Sequence, residues 1–68
     1  MTKTITGSYD ASLKIRNAKD DLIASGIDQE KIFPDEDHGQ LKVMVPSDIE
    51  REIVEILNRH QPSSVEIH

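Results

Sequence analysis

The residues best suited to chemistry stand together at Asp35-Glu36-Asp37-His38. Carboxylate oxygens suit hard cations such as calcium and magnesium, and an imidazole suits zinc or nickel. Asp35, Asp37 and His38 are therefore the candidate metal ligands. Their spacing matches no calcium-binding loop, because the alternation of acids and the distant bidentate Glu are absent. Charged loops are ordinarily just solvated. The stretch is read as a polar hairpin turn, with Gly39 where a positive φ is needed. The competing reading is a small-molecule or metal-ion sensor built on residues 35–38. His60 and His68 have no ligand spacing. His60 falls near the end of an expected helix, where a protonated imidazole complements the helix dipole.

Nucleophiles fare no better. Ser8, Ser12, Ser25, Ser47, Ser63 and Ser64 all fit caps and turns, and none sits in a recognised elbow. The chain has no cysteine, which removes thiolate nucleophiles, thiolate metal sites and disulfides. Tyr9 reads as a buried handle with its hydroxyl at the rim of the core. No catalytic residue and no cofactor is assigned, and a non-enzymatic role is expected.

Those residues must be held by a small scaffold. A chain of 68 residues makes a single domain, residues 1–68. A domain of this size buries only ~60% of its unfolded surface, so its core is small. The net charge of −5 disfavours nucleic acid and anionic membrane, both bound chiefly through basic surface. No run approaches the ~18 apolar residues of a membrane span, and Met1-Thr2-Lys3-Thr4 does not open a signal peptide. Small secreted domains usually carry disulfides, so a cytoplasmic location is expected.

Periodicity places the elements. Lys3 to Tyr9 reads as a strand in β-favouring residues, with Ile5, Gly7 and Tyr9 on one face. Asp10 is the expected N-cap of a helix running to about Ser25, with Ala11, Ile15, Ala18 and Leu22 as its apolar stripe. Gly26 follows as the left-handed residue that ends it. Glu30 to Pro34 reads as an edge strand, since Pro34 cannot donate to a ladder. Leu41, Val43 and Val45 alternate with Lys42 and Met44 in a half-buried strand that Pro46 ends. Ser47 and Glu50 form a capping-box pattern. Ile49, Ile53, Ile56 and Leu57 then share one helical face, and Val65-Glu66-Ile67 is the last strand. The order β-α-β-β-α-β predicts an α+β, ferredoxin-like sandwich. Its four-stranded antiparallel sheet would have the first and third strands central and two helices on one face. Ile5, Ile15, Leu22, Ile32, Val43, Val45, Ile53, Leu57 and Val65 are the expected core.

Parity makes the sharpest functional statement. Ile32 and Val43 must face the helices, so Phe33 and Met44 must lie side by side on the uncovered face. They are the candidate interaction residues, for a weak homodimer or a protein partner.

The run Ile5-Thr6-Gly7-Ser8-Tyr9-Asp10, followed by Ala18, Leu22, Gly26-Ile27 and Ile32, resembles the opening half of the heat-induced stress protein YflT-type domain. The likeness covers residues 4–33 and does not extend to 41–68. It implies a bacterial, cytoplasmic, stress-linked accessory protein, and brings no activity, cofactor or catalytic residue.

Overall fold

The computed structural model describes residues 1–68. Strand β1 (Thr2–Ser8) sits at the centre of the sheet, and the apolar residue at its midpoint, Ile5, is fully buried. Its partner is β3 (Gln40–Pro46), antiparallel, with Ile5 opposite Val43 and Thr6 opposite Lys42. The strict alternation in β3 buries Leu41, Val43 and Val45 and exposes Lys42 and Met44, as a period of two requires. The edges are β2 (Ile32–Asp35), antiparallel to β3, and β4 (Ser64–Ile67), antiparallel to β1. The strand order is β2-β3-β1-β4, so the first and third strands are central, as the sequence predicts.

Helix α1 covers Ser12–Ala24 and buries Ile15, Ala18 and Leu22. The expected Asp10 cap is corrected here. Ala11 occupies the N-cap position and no side chain caps the helix. Asp10 instead pairs with Lys14 at 2.9 Å, which holds its carboxyl below the usual carboxylate range. Ala11 is exposed and outside the apolar stripe. The stop is as expected: Gly26 has φ +98°, and the Ile27 amide reaches back to the Leu22 carbonyl at 3.0 Å, closing the helix end.

Helix α2 covers Glu50–Asn58 and buries Ile53, Ile56 and Leu57. The Ser47–Glu50 capping box does not form. A 3-10 turn, Ser47–Ile49, lies between β3 and the helix, and neither it nor α2 has a side-chain cap. The turn moves the helix start past Ser47, so the Ser hydroxyl is no longer at the N-cap. A further correction concerns residues 29–31. Gln29–Lys31 form a 3-10 turn capped by Asp28, so Glu30 and Lys31 precede the edge strand rather than belong to it.

The two helices and the inward-facing strand residues form one cluster of 12 buried side chains. Eight of the nine expected core residues belong to it, and Val65 packs against it partly buried. Tyr9, Ala18, Leu41 and Ile56 complete the cluster. Gly7 allows this packing, because a Cβ there would meet the Tyr9 ring at 3.0 Å.

Candidate interaction face

Opposite the helices, the sheet presents the other parity of its strands. One row across it runs Phe33, Lys42, Thr6, Glu66, each opposite the next. The neighbouring row holds Met44 opposite Thr4, and Thr4 exchanges main-chain hydrogen bonds with His68 at 2.8 and 2.9 Å. Phe33 therefore faces Lys42, and Met44 stands diagonally, one row along. The expectation of direct neighbours is refined to a diagonal pair, still within reach of long side chains. Phe33 is 46% exposed and Met44 39% exposed. Lys42 is exposed and makes no ion pair. The face thus combines two flexible or aromatic apolar side chains, one unpaired cation, and an acidic border at Glu66.

The acidic turn closes on itself. Residues Glu36–His38 form a 3-10 turn in which the Asp35 carboxylate accepts the His38 amide at 3.3 Å and meets His38 Nδ1 at 2.9 Å. Gly39 follows at φ +64°. Asp37 is exposed and makes no side-chain hydrogen bond. No group of three or more His, Asp and Glu side chains is placed to hold a metal ion. The local chemistry is a capped hairpin: each Asp35 oxygen is turned toward its own loop.

Two other polar sites lie between elements. A cleft of about 310 Å³ between α1 and β2 is lined by Ile15, Arg16, Lys19, Asp20, Pro34 and Glu36, with Arg16 and Glu36 3.7 Å apart. It holds no nucleophile beside a base. At the far ends of the helices, Asp21 meets His60 Nε2 at 3.0 Å and Arg59 at 3.6 Å. That cluster ties α1 to the end of α2, whereas the sequence reading gave His60 only a part in complementing the helix dipole. Sequence reasoning missed Asp21 as the partner, because no pattern links residues 39 apart.

Tyr9 is the one buried polar group with a long-range bond. Its hydroxyl donates to the Leu57 carbonyl at 2.8 Å, and burial pushes its pKa up to about 12. This bond gives a second donor to a carbonyl in the last turn of α2 that also accepts the His60 amide at 3.2 Å. The phenol is thus a structural donor.

Comparison of the chain with family models, with curated proteins and with solved structures finds no match. No helix is long and apolar enough to cross a membrane.

Proposed function

We propose that this chain is a small non-enzymatic protein-interaction module whose contact surface is the open face of its sheet. The observation that carries this reading is the pair Phe33 and Met44, both substantially exposed on a face without helices. Exposed apolar side chains are common singly. Here two of the six large ones on the surface fall on adjacent strands of one face, with Lys42 directly opposite Phe33. Both are already more than half buried, so covering what remains exposed would contribute about 1–3 kcal/mol before the costs of association. That suits weak contacts, no tighter than the millimolar range from these two side chains alone.

The ferredoxin-like label belongs to the same reading. Its support is the order β2-β3-β1-β4, read from the β4 edge, with β1 and β3 central. A bacterial, cytoplasmic, stress-linked setting rests on the resemblance of residues 4–33 to YflT-type domains. The metal-sensor alternative has less behind it, since Asp35 and His38 bind each other.

The test is the double variant Phe33→Ser, Met44→Ser. It should keep the melting transition of the parent and lose binding of any partner the parent holds. Unfolding of the double variant would mean that these residues are core.

A further inference from the structure

We propose that the outer edge of β4 pairs antiparallel with the β4 edge of a second copy, joining two sheets into one. The hydrogen-bond phase of the sheet sets this up. Thr4 and His68 exchange main-chain bonds, so the pair Thr6–Glu66 does as well, by alternation along an antiparallel ladder. Val65 and Ile67 then turn their N–H and C=O groups away from β1. No other strand lies beside β4; it has no Pro, and its guards are its length of four residues and the charge of Glu66.

The opposite edge is poorer for such pairing. Tyr9 donates to the Gly39 carbonyl at 2.7 Å, which fixes the phase of β1 against β3 and hence of β3 against β2. Phe33 and Asp35 bond to β3, and Ile32 and Pro34 face outward. Pro34 has no N–H to offer. An edge-to-edge contact of β4 with β2 therefore leaves one ladder position without a donor. A contact of β4 with β4 leaves none, in an arrangement with a two-fold axis that closes at two copies.

The strand is self-complementary in that arrangement. With Glu66 on the axis, Val65 of each copy stands opposite Ile67 of the other, and the outward groups of both residues are satisfied. Ile67 lies on the helix side of the sheet, opposite Ile5, yet is 45% exposed. In the pair it gains Val65 of the second copy as its cross-strand neighbour. The opposing term is also on the axis: Glu66 faces Glu66, like charges directly across a ladder, with His68 of the same chain 3.2 Å from each carboxylate. The dimer is weak for that reason. This inference rests on the interaction reading only in its consequence: the two open faces become one, with Phe33–Met44 patches at both ends, roughly 34 Å apart at seven strand spacings.

Sedimentation equilibrium over a concentration series tests it. The wild-type chain should show a monomer–dimer equilibrium. Ile67→Pro removes an outward amide without touching the bonds to β1, and should weaken the dimer about tenfold or more, since two of the intermolecular main-chain bonds are lost. Its circular dichroism should match the parent. Glu66→Gln should tighten the dimer about two- to fivefold, while Asp37→Asn, on the opposite side of the sheet, should not. A strictly monomeric wild type overturns the inference. So does a dimer that survives Ile67→Pro. A dimer lost in Phe33→Ser, Met44→Ser but kept in Ile67→Pro would also overturn it, and would leave the open face standing as the contact surface.

Discussion

Tyr9 and Leu57 lie 48 residues apart in sequence, and the Tyr9 hydroxyl donates a 2.8 Å hydrogen bond to the Leu57 carbonyl. The bond joins the residue after β1 to the last turn of α2. Tyr9→Phe takes away one of two donors to that carbonyl, which keeps the His60 amide at 3.2 Å, and should cost about 0.5–1.5 kcal/mol, read as a lower urea midpoint at unchanged slope.

The same phenol gives a pH prediction. Its folded-state pKa is raised to about 12 from 10.0. The native state then keeps a proton that the unfolded chain has released. Stability contributed by the neutral phenol is complete below about pH 10 and falls as pH rises from there toward 12, with a slope of up to ~1.4 kcal/mol per pH unit. Alkaline melting curves should show that fall for the parent, and Tyr9→Phe should lack this part of it.

Gly39 should tolerate no side chain. A Cβ there would sit 2.7 Å from the Tyr9 carbonyl oxygen, at a φ of +64°. Gly39→Ala should cost at least ~1–2 kcal/mol from conformation alone. Asn accepts left-handed backbone more readily than Ala, yet carries the same Cβ. If Gly39→Asn restored full stability, backbone conformation and not the contact with Tyr9 would be the reason for glycine.

Ile53 is 1% exposed, and Ile53→Ala should cost ~2–5 kcal/mol, a large fraction of the stability of a domain this small. Ser47→Ala should stay within about 0.5 kcal/mol, because the exposed hydroxyl caps nothing. Thermal melts of the two variants side by side check both the core face of α2 and the start of the helix.

Periodic features of the fold were legible in the residues. The alternation of Leu41, Val43 and Val45 against Lys42 and Met44 needs only a period of two, and Gly26 needs only a helix that must stop. The helix starts were not legible. Asp10 is an ordinary cap residue, but Lys14 lies one turn on and takes its carboxylate. Ser47 and Glu50 match a capping box, but the chain leaves β3 through a 3-10 turn first. Parity placed Phe33 and Met44 on the open face, whereas their register did not follow from it: pairing Phe33 with Lys42 depends on how the turn Glu36–His38 counts residues. The bonds Tyr9–Leu57 and Asp21–His60 join distant segments and leave no local pattern.

The most direct test of the open face as a contact surface is site-specific photocrosslinking in living cells. A photoreactive phenylalanine analogue replaces Phe33 in one variant, and Leu13 or Ile23 in two others. Those control residues are exposed on α1, at 64% and 40%. The face reading predicts a discrete adduct from position 33 that Met44→Ser suppresses, with little or none from positions 13 and 23. Equal adducts from all three positions, or adducts from the helix positions alone, would contradict it.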